Sequence, residues 1–367
     1  MKQAIKDKYI ALSRLMGVSG FEQEIVRYCR DILRASADKV EVTTTGNLIA
    51  TYVGKRQGHS FMLSAHVDEV GYIVKNITDD GFLLFERVGN PVAKTMSGLR
   101  LRLRGTKGDI VGVIGLTPGH IQTPEEARTV ATSKTSYIDV GARSAAEVAQ
   151  MGLSIGCVGI PESPVVTMYN PDLLMGRAAD DRLGCAVLLQ LAEALADRDF
   201  AGTLHLVFSV QEEIGVVGAK QVTRKLDPDY CLVLDTFPAG GTPDVPPRRL
   251  PVIIGGGPVI SIMDTLVGPM TCGYVTNARL VEAARRIAAE EGFSLQTITM
   301  CEDGYGTDAI GITNEGSHAP CLSLGLPRRY SHSPNEVVDL NDAEKMVRLL
   351  LGMVKGNETL DLSFIED

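Results

Sequence analysis

Two adjacent carboxylates, Glu212 and Glu213, follow directly on the apolar run Leu204 to Val210. A buried parallel strand carries apolar side chains on both faces, so acids at its carboxyl end read as a site rather than as more strand. Three other segments hold His66 with Asp68, Asp180 with Asp181, and Asp235, in similar strand-end or strand-after settings, and His332 completes the inventory late in the chain. Imidazole and carboxylate donors suit zinc, cobalt or manganese, while no cysteine pair has the spacing of a structural zinc knot. Glu212 and Glu213 differ by one position, so one can turn to a metal and the other to substrate, dividing the work of ligand and general base. If His66-Val67-Asp68 is extended, its two polar side chains share a side. Asp68 can then accept a hydrogen bond from the imidazole nitrogen that faces away from a metal.

Each of these residues alone has a plainer reading. Glu212 and Glu213 fit a solvated surface, and His66 with Asp68 fits a turn. Asp180 and Asp181 precede a helix, where aspartate is a routine terminal residue, and for that segment alone capping is the favoured reading. Asp235 fits a turn before Thr236-Phe237-Pro238, and His332 a loop. Open α/β sheets, however, bind ligands just beyond the carboxyl ends of their strands, and His66, Glu212, Glu213 and Asp235 all occupy such positions.

The elements that must position them follow from periodicity. Ile5, Tyr9, Leu12 and Met16 recur at helical spacing, and a second helix runs from about Glu22 to Leu33, with Ser19 and Glu22 at capping-box spacing. Strands are expected at Val40 to Thr44, Leu48 to Val53 and Phe61 to Ala65. From Tyr72 to Val166 the texture changes to short alternating runs with glycine punctuation, such as Leu99 to Arg104 and Ile110 to Ile114, and helical pattern is nearly confined to Ala145 to Met151. That stretch reads as a small β-rich, barrel-like module. The α/β texture returns with helices at Arg182 to Asp197, Val216 to Lys225, Val275 to Glu290 and Asn341 to Val354. Strands accompany them at Thr203 to Val210, Tyr230 to Leu234, Leu295 to Met300 and Cys321 to Leu324. The expected fold is therefore α/β, a central mixed sheet flanked by helices, with residues 72–166 inserted between catalytic portions 1–71 and 167–367. Pro238 to Pro258 reads as a long loop, and its Gly255-Gly256-Gly257 as a turn rather than a phosphate cradle.

Composition narrows the partners. A formal charge of -9 over 367 residues argues against nucleic acid or an anionic membrane surface, both of which need clustered Lys and Arg. Seven cysteines without pairing pattern fit reduced thiols. Cys29, Cys157, Cys185 and Cys231 are expected in the core, as is His205, a satisfied histidine within a strand. No stretch approaches the ~20 apolar residues of a membrane span, so a soluble cytoplasmic protein is expected.

In this order the segments Gly17-Val18-Ser19-Gly20, Ser64 to Gly71, Asp180 to Gly184, Gln211 to Gly215, Leu234-Asp235-Thr236, Gly306 to Ala309 and Arg329 to Pro334 resemble the M42 family of dinuclear metallo-aminopeptidases, relatives of glutamyl aminopeptidase and the TET peptidases. The resemblance implies hydrolysis of N-terminal residues from peptides by a water activated by two divalent ions, zinc or cobalt first and manganese next. Asp180 would bridge the ions, with His66 and Asp235 completing one site and Glu213 and His332 the other. Glu212 would be the general base, and Asp68 the group behind His66. The inserted module would be a dimerisation domain, with dimers assembling into a hollow dodecamer. Asp181, where relatives often carry asparagine, and Pro118-Gly119-His120 depart from the family pattern. A deacylase or dipeptidase on the same scaffold is the alternative activity. A glycoside hydrolase fits less well, because adjacent glutamates are poorly disposed to flank a sugar bond. The preferred N-terminal residue is not legible in the chain.

Overall fold

The computed structural model describes residues 1–266, 272–301 and 304–365. A nine-stranded mixed sheet is its largest element. At its middle lie four parallel strands in the order Ala201–Ser209, Arg56–His66, Tyr230–Pro238 and Cys321–Arg328. Their side chains alternate between two cores. Phe61, Leu63 and Ala65 enter one and Met62 the other, while Leu232 and Leu234 alternate with Cys231 and Val233. Burial on both faces is why these runs are almost continuously apolar. Antiparallel strands extend the sheet, Leu48–Val53 and Lys39–Val42 on one side and Val259–Leu266 and Cys272–Val275 on the other; Gln296–Met300 pairs parallel with Val259–Leu266.

Helices Lys2–Arg14, Gln23–Leu33, Ala179–Ala194, Ala278–Glu290 and Leu340–Lys355 cover the first face. Val217–Leu226 and Asp308–Glu315 cover the second. The rings of Phe61 and Tyr230, on neighbouring strands, stack at 5.0 Å. Side chains of this size stabilise by about 1.5–3 kcal/mol each when fully buried.

Several expectations shift. The helix expected from Val275 starts at Ala278, because Asn277 accepts the N–H groups of Arg279 and Leu280 while Cys272–Val275 joins the sheet edge. Ser19 does not cap the second helix: its Oγ donates to Asp68 Oδ2 at 2.6 Å, and Glu22 opens the helix without a side-chain cap. The strand Tyr230–Pro238 carries through Asp235 instead of ending before it. Strand Val259–Leu266 and helix Asp308–Glu315 are absent from the sequence reading. The glycine turn is a turn, closed by Asp342, which accepts from Gly255 N and Gly257 N at 2.6 and 2.7 Å.

Six strands, Gly71–Ile77, Leu83–Val88, Ile138–Asp139, Gly108–Ile114, Arg100–Gly105 and Val158–Pro161, close a separate barrel. Leu101 and Leu103 point into its core. The intervening arginines reach out: Arg104 pairs with Glu24 at 2.9 Å and Arg102 donates to Arg14 O at 2.7 Å, fastening the barrel to the first two helices. Cys29, Cys185 and Cys231 are buried, whereas Cys157 is only half-buried. His205 is half-buried between Thr51 Oγ1 and Ser60 Oγ. Among the described residues no helix is long and apolar enough to cross a membrane.

Candidate metal centre

The four parallel strands present their carboxyl ends side by side. Ser209 pairs in register with His66, and Asp235 pairs with Gly325 three residues before Arg328. Across the sheet, the strand ends therefore deliver the Glu212-Glu213 loop, His66, Asp235 and Arg328. Asp180 arrives from the irregular start of helix Ala179–Ala194, where Asp180 and Asp181 leave helical geometry. His332 comes from the loop after Arg328, held at φ +57°.

Asp180 is the hub. Its Oδ1 lies 3.0 Å from His66 Nε2 and its Oδ2 3.2 Å from His332 Nε2. Asp235 Oδ1 is 3.8 Å from His66 Nε2, and Glu213 Oε2 is 3.4 Å from His332 Nε2. Donor atoms of His66, Asp180 and Asp235 gather within 4.8 Å of one another, and so do those of Asp180, Glu213 and His332. These two triads share one carboxylate. Glu212 lines the same cleft, of about 230 Å³, together with Asp180, Glu213, Asp235 and His332.

Capping accounts for Asp181 in part, since its Oδ1 accepts Gly184 N at 3.1 Å, but Asp180 is turned into the cleft. Asp68 is fully buried behind His66, with Oδ1 at 3.4 Å from Nδ1.

The donor set fits divalent cations. His332 Nδ1 donates to the carbonyl of Asn90 at 3.1 Å, which turns Nε2 toward Asp180 and Glu213, the orientation a metal ligand needs. Glu213 Oε1 is buried without a hydrogen-bond partner. Burial pushes the Glu212 and Asp235 carboxyls well above the usual range and Glu213 up to about 7, each reinforced by neighbouring acids. Burial alone would lower His332, but Glu213 and Asp180 outweigh it and raise the imidazole to about 9. Burial likewise opposes ionisation of Asp180, yet Arg328 and the two histidines hold it well below the ordinary carboxylate value. Buried acids crowded this way demand positive charge, and divalent ions supply it most compactly.

Two residues of this centre have no assigned role in the sequence reading. Arg328 and Glu336 are both buried, and Arg328 Nη1 donates to Asp180 Oδ2 at 2.5 Å and to Glu336 Oε1 at 2.8 Å. Glu336 follows the loop histidine His332 by four residues, which is its signal in the sequence.

Known proteins carry the same arrangement of chain. Residues 46–349 match the family model of M42 glutamyl aminopeptidase. SgcX of Escherichia coli (strain K12), an aminopeptidase by name, is 33% identical over 360 residues, covering 96% of this chain and 94% of its own. The TET aminopeptidase of the marine sediment archaeon Thaumarchaeota archaeon SCGC AB-539-E09 superposes with a TM-score of 0.88 at 30% identity, covering 96% of both chains. The TET1 peptidase of Pyrococcus horikoshii, described as assembling into a tetrahedron or a large octahedral shell, superposes at 0.83 with 28% identity, over 95% of this chain and 99% of its own. The chain belongs to the M42 peptidase family, a family of metal-dependent peptide hydrolases.

Proposed function

We propose that this aminopeptidase releases N-terminal residues from peptides with two divalent ions, zinc or cobalt, held by His66, Asp180 and Asp235 on one side and Asp180, Glu213 and His332 on the other. The observation that supports this most is the pair of triads sharing Asp180. When bound, the ions would lower the pKa of the attacking water and polarise the scissile carbonyl. Glu212 takes the water's proton and passes it to the leaving amine, a task suited to a carboxyl whose burial raises its proton affinity. Asp68 acts from behind, orienting His66. Replacing Glu212 with Gln should lower kcat by about 10²–10⁴, the usual contribution of a general base, while plasma emission still finds the wild-type metal content. Retention of more than a tenth of the activity would remove Glu212 from that role.

The same reading extends to assembly. Residues 72–166 would form a dimerisation domain, supported by exposed Val111, Leu116 and Ile121 on this module, with dimers building a dodecamer. Light scattering on wild type and on Leu116→Asp with Ile121→Asp tests it, because a barrel contact should dissociate in the variant.

A further inference from the structure

The two triads are alike in composition. Each has one histidine, one carboxylate of its own and one oxygen of Asp180. Their surroundings differ in charge: the Asp68 carboxylate lies behind His66, whereas the other triad meets the Asn90 carbonyl and a buried guanidinium. Arg328 is fully buried, and its Nη1 reaches Asp180 Oδ2, the oxygen on the His332 side, whereas Oδ1 faces His66.

This contact is more than a buried pair finding its partner. Glu336 already pairs with the guanidinium at 2.8 Å, and Ser331 Oγ accepts from Nη2 at 2.6 Å. Glu336 in turn accepts from His332 N through Oε1 at 2.8 Å and from Asp180 N through Oε2 at 3.2 Å. Thus the pair grips two of the three residues of one triad, Asp180 and His332, by their backbones and places positive charge on Asp180 Oδ2. A guanidinium stays charged at any working pH. It takes up one lone-pair direction of Oδ2, and its field opposes a cation beside that oxygen.

We infer that Arg328, with Glu336, is a positioning pair that makes the two cation sites unequal, keeping the Asp180, Glu213 and His332 site preformed but weaker than the His66, Asp180 and Asp235 site. This rests on the dinuclear reading above. The weaker site loses and regains its cation first as metal supply changes.

The test is a Co²⁺ titration of chelator-stripped full-length protein, followed by visible absorption and by metal stoichiometry. Wild type should take up two ions in steps at least tenfold apart, and His332→Ala should abolish the weaker step alone. Arg328→Met combined with Glu336→Gln removes both buried charges together, and should tighten the second step at least tenfold; Arg328→Lys should keep the gap. Should the double variant not fold, as judged by circular dichroism, His332→Ala in the native background still decides which site is weak. Two equal steps in wild type, loss of the tight step in His332→Ala, or an untightened second step in a folded double variant overturns the assignment and leaves the dinuclear reading standing. Uptake of a single ion per chain overturns both.

Discussion

Asp68 Oδ1 accepts the backbone N–H of Glu212 at 3.0 Å, so the residue behind His66 also fixes the loop that carries the proposed base. Its Oδ2 accepts from Glu213 N at 3.1 Å and from Ser19 Oγ at 2.6 Å. One carboxylate thereby sets His66 and both glutamates in a common frame. An amide at this position turns a donor toward N–H groups or a hydroxyl. Asp68→Asn should therefore lower kcat by about 10–100-fold, the usual cost of losing such an orienting partner. Steady-state kinetics beside metal analysis will check it, and wild-type kcat in the variant would show that the frame is dispensable.

Cations should stabilise the fold as well as react. Relief of repulsion among Asp180, Asp235, Glu212 and Glu213 favours the folded state only when metal is bound. Ligation of one ion at 100 times its Kd contributes about 2.7 kcal/mol. Adding Zn²⁺ to chelator-treated protein should raise the thermal midpoint, and Glu213→Gln should shrink the rise. An equal rise in the variant would show that Glu213 is not a ligand.

What the sequence makes legible is what strand periodicity can address. Glu212, His66 and Asp235 each follow an apolar run, so their shared position at strand ends can be read directly. Arg328 ends the same kind of run, but Pro327 hides the last strand residues, and nothing local says that an arginine will be wholly buried. Ser19 shows the opposite error. Its spacing to Glu22 fits a cap, but its partner lies 49 residues away. Strand Val259–Leu266 escapes notice because Ser261 and Asp264 break its apolar pattern, although both are buried and Ser261 Oγ donates to Asp264 Oδ1 at 2.5 Å.

The cleft also predicts substrate charge. Beyond the acids and His332 its walls include Asn90, Val216, Leu266 and Tyr305, with no Lys or Arg among the described residues. Residues 267–271 and 302–303 contain none either. With both ions bound their charge is taken up by Asp180, Glu213 and Asp235, Glu212 remains an acid, and no Lys or Arg among the described residues lining this cleft is left to pair with an acidic side chain. Despite the glutamyl label of the family model, leucyl-p-nitroanilide should exceed glutamyl-p-nitroanilide in kcat/KM by at least about tenfold, a difference of about 1.4 kcal/mol. Equal rates on the two substrates would show that a cation beyond this lining, such as Arg177 in the neighbouring cavity beside Asp180 and Glu213, meets the acidic side chain.

Glu22 gives the fold a pH dependence separate from metal. Its Oε1 accepts Gly20 N at 2.7 Å and Gln211 N at 3.1 Å, tying the second helix to the residue before Glu212. Burial outweighs these bonds and, with Asp68 nearby, pushes the carboxyl up to about 7. In the unfolded chain the same group titrates near its ordinary value, so between there and about pH 7 the folded state binds more protons. Stability from this group is therefore full below the unfolded pKa and is lost as pH rises through about 7. Glutamine keeps the accepting oxygen and cannot ionise. Glu22→Gln should gain on wild type as pH rises from 5 to 7, by on the order of 1–3 kcal/mol, and hold a constant lead above pH 8. Urea unfolding of metal-loaded protein at each pH measures the gap, and a gap that does not move with pH would mean that Glu22 is ionised throughout.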